Sequence, residues 1–215
     1  MNVRTRIKFC GMTRKEDILA AAEMGVDAVG MILYQGSKRG IDLQKAAELA
    51  QCIPPFVSLV TVLVNPERSL VQQILRDLPL HCLQFHGEEP PEFCESFQFP
   101  YIKAIPAVDK NQIMEQSRRY LHAKAILLDT PVNNEHGGTG ISFDWDRIPE
   151  KLEKPLILAG GLNAQNIGEA VQKIHPYAVD LCSGIEERAG IKDRKKMLAF
   201  IQSLQSGEQY VQSAG

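Results

Sequence analysis

A thiol, a carboxylate, an arginine and three glycine-rich turns stand out in this 215-residue chain as groups that chemistry can use. Cys10 closes the short apolar run RIKFC (6–10), and Asp129 closes another, AILLD (125–129). A thiol acts as a base only when its pKa is lowered or the proton it takes is acidic. A carboxyl acts as a general acid only when its surroundings keep it protonated. Each also has a structural reading: a free cysteine is often a small buried hydrophobe, and an aspartate at a strand end can be a cap. Arg39, in QGSKR, is a candidate cation for an anionic ligand, with a solvated surface position as its alternative. HGGTG (136–140), AGGLN (159–163) and SGIE (183–186) offer backbone N–H groups without Cβ obstruction, which suits anions. None is a P-loop, because the Lys-[Ser/Thr] step is missing.

The elements that position these residues repeat along the chain. Eight β-branched or apolar runs occur: 6–10, 27–33, 57–64, 81–85, 101–105, 125–129, 155–159 and 178–182. Amphipathic stripes lie between several of them, at Leu43/Ala46/Ala47/Ala50, Val71/Ile74/Leu75/Leu78, Ile167/Ala170/Val171/Ile174 and Met197/Phe200/Ile201/Leu204. Thr13 and Glu16 read as a capping box ahead of a helix that stops at Gly25. The segment 143–151 is the weakest, since Pro149 limits any helix there. Alternating strand and helix implies a parallel sheet covered by helices. Most of the strands are apolar on both faces, as doubly covered strands are.

Eight units and no G-x-G-x-x-G after the first strand favour an α/β fold of one (β/α)8 TIM barrel over an open sheet. The barrel spans 1–205, with 206–215 a frayed polar tail. Strand ends then converge on one mouth, the face where such barrels place their chemistry. Strand parity sets Lys8 and Cys10 on one face, and Ala125, Leu127 and Asp129 on one face of the strand across the barrel. Gln84 and His86 end strand four, Asn65 ends strand three, and Asp180 lies one pleat below the mouth. Phosphate sites in barrels commonly use the loops after strands seven and eight, which here supply Gly160, Gly161, Ser183 and Gly184, with Gly138 from HGGTG beside them.

Composition excludes several classes. Lys+Arg of 24 against Asp+Glu of 26 gives a formal charge of −2, so no basic excess advertises nucleic acid or an anionic membrane. No run of 18 apolar residues occurs, and the basic N-terminus lacks the apolar core of a signal peptide. Five cysteines without a C-x-x-C pair suggest reduced thiols and a cytoplasmic protein. His81, Cys82 and His86 make a poor metal set, because His81 and His86 point to opposite faces, and the chain reads as metal-free.

Together these residues resemble the phosphoribosylanthranilate isomerase family. The likeness runs from KFCGMTR (8–14) through DAVGMILYQGSKR (27–39), VTVLVN (60–65), LQFHGEE (83–89), LLDTPVNNEHGGTGISFDW (127–145), LILAGGLNAQNI (156–167) and AVDLCSG (178–184) to SGIEERAGIKD (183–193). Lys38 and Gln35 depart from it, each standing where the family usually has proline. The resemblance implies an Amadori rearrangement of N-(5-phosphoribosyl)anthranilate to 1-(2-carboxyphenylamino)-1-deoxyribulose 5-phosphate, in tryptophan biosynthesis. It implies Asp129 as general acid, Cys10 as general base, Arg39 on the anthranilate carboxylate, and Gln84, His86 and Asp180 as substrate contacts. The glycine turns would hold phosphate. No cofactor is implied, because the substrate nitrogen is its own electron sink. The partner is a small phosphosugar, with monomer and homodimer both open.

Three rivals remain at this level. A histidine-pathway aminoaldose isomerase would carry aspartate at both catalytic positions, whereas strand one ends in Cys10. Indole-glycerol-phosphate synthase would need a catalytic lysine and glutamates that the strand ends do not supply. A non-catalytic phosphosugar sensor on the same barrel would have no need of Cys10 and Asp129.

Overall fold

The computed structural model describes residues 4–129 and 144–214. Each apolar run becomes a strand: β1 Arg6–Phe9, β2 Ala28–Ile32, β3 Ser58–Leu63, β4 Cys82–Phe85, β5 Tyr101–Pro106, β6 Ala125–Asp129, β7 Leu156–Leu158 and β8 Ala178–Leu181. All eight pair in parallel and in chain order, and β8 closes onto β1. The TIM barrel expected from the sequence is therefore the architecture. The helices are α1 Lys15–Glu23, α2 Leu43–Ala50, α3 Arg68–Asp77, α4 Pro91–Glu95, α5 Lys110–Arg119, α6 Ile167–Ile174 and α7 Arg194–Ala214. Between β6 and β7 the described residues carry only a 3₁₀ turn, Trp145–Arg147. No helix among the described residues is long and apolar enough to cross a membrane.

Strand periodicity divides the apolar residues into two cores. One alternate set (Ile7, Phe9, Val29, Met31, Leu59, Leu83, Phe85) faces the helices and joins Ile18, Ala46, Val71, Ile113 and Phe200. The other set fills the barrel lumen on one side with Ile102, Ala104, Ala125, Leu127, Ile157 and Ala178. On the remaining side the lumen holds a buried ion pair, Lys8 to Asp180 at 2.8 Å. Burial alone would push the Lys8 ammonium down, but the adjacent Asp180 carboxylate outweighs it and holds the lysine above its ordinary range.

Three local features depart from the sequence reading. Thr13 does not cap α1: the N-cap position is Arg14, which makes no side-chain cap bond, and the Thr13 hydroxyl donates to the Gly190 carbonyl instead. That long-range partner wins because a short hairpin, β9 Glu186–Arg188 with β10 Ile191–Lys192, lies against the start of α1. The helix expected to end near Leu204 runs on through 206–214, so the tail continues α7. Gly207 explains the extension. A Cβ there would stand 2.8 Å from the Gly168 Cα, so the two glycines let α7 lie directly on α6. Glu208 then accepts from the Thr5 backbone N–H and ties α7 to the entry of β1. Finally, α4 and α5 have no counterpart among the stripes; α5 is started by the Asp109 carboxylate, which accepts from the Asn111 and Gln112 amides.

A second buried pair fixes the loop that carries His86. Lys103 points outward from β5 beneath the loops and meets Glu89 at 2.9 Å, with both side chains 2% exposed. Lys103 also donates to the Gly87 carbonyl at 2.6 Å, while Glu89 accepts from the Asn65 and Gly87 amides. Gly87 must be glycine here, since a Cβ would fall 2.4 Å from the Asn65 Oδ1. Removing one partner of such a pair leaves an uncompensated buried charge, at a cost of about 3–5 kcal/mol. Lys103→Met is expected to destabilise the protein by that amount in urea unfolding. An unchanged midpoint would show that Glu89 does not need the lysine.

Candidate active site

The strand ends surround a cavity at the C-terminal face of the barrel. Cys10, Arg39, Gln84, His86, Asp129, Gly160, Gly161, Asp180, Ser183 and Gly184 all line it. Ile32, Val62 and Val64 give it one apolar wall, with Tyr34 beside the mouth. Gly138 and the rest of HGGTG lie outside the described residues. Asn65 is not among the lining. Its backbone is left-handed, at φ 46°, and its side chain accepts from the Glu88 amide, so it braces the loop after β4.

Cys10 follows β1, and its N–H donates to the Leu181 carbonyl at 2.7 Å. The thiol is pulled down to about 7, chiefly by a hydrogen bond with Cys182; burial opposes this and the Lys8 charge assists. The other three cysteines carry no such role. Cys82 and Cys94 are both pushed up to about 12 by burial. All five cysteines are free.

Asp129 ends β6 across the lumen from Cys10. His86 Nε2 lies 3.2 Å from Asp129 Oδ2, and His86 Nδ1 lies 3.0 Å from Gln84 Nε2. A carboxylate oxygen accepts, so the Nε2 proton is aimed at Asp129, and Nδ1 faces the Gln84 amide. The pair expected as substrate contacts is thus also a support for the carboxyl. His81 is elsewhere, accepting from the Leu59 amide at the start of β4. Among the described residues no three His, Cys, Asp or Glu side chains gather as a metal site.

Arg39 is not a solvated surface residue. Its loop is closed by a bond from the Arg39 amide to the Ser37 hydroxyl, 3.1 Å, and by the Gly40 amide on the Ser37 carbonyl. Lys38 and Gln35 are exposed on that loop. The guanidinium forks onto Glu186 through Nε and Nη2, the latter at 2.7 Å, and its side chain is 13% exposed. Glu186 also takes Lys192 Nζ at 2.9 Å and the Gly190 amide. The hairpin sets this up: Glu186 and Lys192 face each other across the ribbon, and Gly190 turns it at φ +80°. One carboxylate thus holds two cations, and Arg39 is kept at the mouth with Nη1 outside the fork.

Asp180 uses Oδ2 for Lys8, while its buried Oδ1 has no partner. An acceptor in that state calls for a donor such as a hydroxyl. At the opposite edge, Gly160 and Gly161 are both left-handed, at φ 78° and 65°. Asn163 and Asn166 side-chain amides hold the Gly161 carbonyl back, at 3.2 and 3.0 Å. Gly184 lets the loops after β7 and β8 touch, because a Cβ there would stand 2.0 Å from the Leu162 carbonyl oxygen. Among the described residues the backbone N–H groups of Gly160, Gly161, Ser183 and Gly184 have no acceptor, which leaves a patch of free donors.

Glu186, Lys192 and Cys182 carry no role in the sequence reading. The signal for the first two was slight: charges of opposite sign stand on either side of Gly190 in the segment after SGI. Cys182 had none, since strand-closing neighbours share no local spacing.

A family model described as N-(5'phosphoribosyl)anthranilate (PRA) isomerase matches residues 7–203. An N-(5'-phosphoribosyl)anthranilate isomerase of Legionella pneumophila is 55% identical over 201 residues, 94% of this chain and 97% of the relative. Among solved structures, a phosphoribosyl anthranilate isomerase in complex with reduced 1-(o-carboxyphenylamino)-1-deoxyribulose 5-phosphate aligns with a TM-score of 0.79 and 36% identity, over 94% of this chain and 99% of that one. Monomers generated from the dimeric phosphoribosylanthranilate isomerase of Thermotoga maritima align at 0.78 and 34%, with the same coverage.

Glu186 sits below the ordinary carboxylate range; burial pushes it up, but Arg39 and Lys192 overcome that. A folded value below the unfolded one means stability that is present above the ordinary carboxyl range and lost as pH falls through the lowered value. Glu186→Gln is expected to cost about 3 kcal/mol at neutral pH. Urea midpoints of wild type and variant should converge in acid. A gap of constant size would show that ionisation of Glu186 is not the source.

Proposed function

The chain belongs to the N-(5'-phosphoribosyl)anthranilate isomerase family, and on that premise we propose that Cys10 and Asp129 are its base and acid. The reaction is the aldose–ketose isomerisation of tryptophan biosynthesis, an Amadori rearrangement of N-(5-phosphoribosyl)anthranilate to 1-(2-carboxyphenylamino)-1-deoxyribulose 5-phosphate. The observation that carries the assignment is that Cys10 and Asp129 line one cavity from facing strands, with Arg39 and the free glycine amides around the same space.

The chemistry follows from these positions. Asp129, as general acid, delivers a proton to the furanose oxygen as the C1–O bond breaks, and the nitrogen lone pair forms the C=N bond. The resulting iminium acidifies the C2 proton, so a thiolate with a pKa near 7 is a sufficient base. Cys10 takes that proton and the C2–H electrons form the C1=C2 bond of an enolamine, which tautomerises to the ketone. His86, bonded to Asp129, holds the carboxyl in place through both steps. Arg39, kept at the mouth by Glu186, pairs with the anthranilate carboxylate. Asp180 Oδ1 accepts from a sugar hydroxyl. The amides of Gly160, Gly161, Ser183 and Gly184 bind phosphate, with Gly138 joining them from the segment outside the described residues. Anchoring both ends of the substrate sets the sugar between acid and base, which lowers the entropic part of the barrier.

Five unpaired thiols support a reducing compartment, the cytoplasm. The dimeric relative makes a homodimer the form to test beside a monomer.

The assay makes the unstable substrate in situ from anthranilate and phosphoribosyl pyrophosphate with a transferase, then follows its fluorescence. Asp129→Asn and Cys10→Ala are each expected to lower kcat by about 10²–10⁴ while a non-reactive product analogue still binds. Turnover near wild type in either variant removes that residue from its role. Alkylation of Cys10 should also be slowed by the analogue; alkylated protein that keeps its activity would make the thiol a packing residue.

A further inference from the structure

The base needs an explanation of its own, because a thiol inside a barrel is normally protonated. Cys10 is 5% exposed. The charged groups around it are largely committed elsewhere. On its own strand Lys8 is paired with Asp180 and lends Cys10 part of its charge and a hydrogen bond; from β8 the Asp180 carboxylate opposes a second negative charge; from the loop after β2, Arg39 is forked onto Glu186. On β2 the neighbour is Gly30, where a Cβ would stand 2.7 Å from the Cys10 sulfur. Gly30 makes room but donates nothing.

The remaining neighbour is Cys182. The closing register pairs Phe9 with Leu181, so Cys10 and Cys182 leave the sheet side by side. The Cys182 sulfur is packed under the turn that begins at Cys10, 2.9 Å from where a Gly11 Cβ would be. Behind it, Lys192 Nζ donates to the Cys182 carbonyl at 3.1 Å and lies 3.9 Å from its sulfur. An ammonium has donors only. The Cys182 sulfur therefore accepts on the Lys192 side, and its S–H is left for the other side, where Cys10 stands.

We propose that Cys182 is a positioning residue for the base: its S–H donates to the Cys10 thiolate, and Lys192 fixes the direction of that bond. This rests on Cys10 being the base. The bond to Cys10 and burial outweigh the downward pull of Lys192 and Arg39 on Cys182 and hold the proton there, while that bond and the Lys8 charge pull Cys10 down. One thiol of the pair is thereby selected as the base.

The test reads Cys10 directly. Iodoacetamide modification of the Cys10 peptide is followed by mass spectrometry across pH in wild type, Cys182→Ala and Cys182→Ser, beside kcat/KM profiles and thermal melts. Wild type should show a midpoint near 7. Cys182→Ala should move it upward by about one unit, making alkylation and kcat/KM at neutral pH roughly tenfold lower with recovery at alkaline pH and KM unmoved. Cys182→Ser keeps a donor and should retain most of the wild-type profile. An unshifted Cys182→Ala that melts as wild type overturns the proposal, and so does a serine variant as impaired as alanine. A shifted alkylation profile with kcat/KM unmoved would leave the thiol pair standing and overturn Cys10 as the base.

Discussion

Eight strands close into a barrel only if β8 meets β1 in one register, and that register sets Lys8 beside Asp180 and Phe9 beside Leu181. A slip of one residue would turn every side chain of β1 to the other face. Lys8 would then enter the apolar layer under the helices, and Cys10 would leave the cavity. The ion pair at 2.8 Å is a local marker of correct closure. It is a poor source of stability in itself, because desolvation of both ions offsets much of their attraction. Its effect is on which closure is tolerated.

The same logic of shared charge recurs around the mouth. Glu89 holds Lys103 and two backbone amides, which fixes the loops after β3 and β4. Glu186 holds Arg39, Lys192 and a third amide, which fixes the hairpin and the loop after β2. In both, a buried carboxylate gathers donors from segments far apart in sequence, so loops that look independent are tied to one another. Gln84, His86 and Asp129 extend the pattern into the cavity, where one imidazole links two strands.

Much of the frame was legible in the sequence. The strands are short, doubly apolar and evenly spaced, and their polar ends name most of the cavity lining, from Cys10 and Arg39 to Asp129 and Asp180. What escaped has a common physical origin. Thr13 and Glu16 fit a capping pattern, but a carbonyl more than 170 residues away takes the threonine. Polar 206–215 read as a frayed end, yet Gly207 finds a glycine on α6 and the helix continues to Ala214. Arg39 was visible as a cation, whereas the carboxylate that holds it and the thiol beside Cys10 come from the far end of the chain. Local pattern encodes elements and their faces; which partner a polar group takes is decided by closure.

The donor patch after β7 and β8 is made of main chain alone, with Gly160 and Gly161 in left-handed backbone and a Cβ at Gly184 barred by the Leu162 carbonyl. Arg39, Gln84, His86 and Asp180 turn side chains to the same cavity. A group held at that patch would meet backbone alone, while the rest of the cavity would meet it with side chains. Such a division favours evolvability: a lineage can exchange the residues that read one part of a ligand and keep its grip on the other. On such a barrel, new specificity would start from a ligand that the main chain can hold by one end.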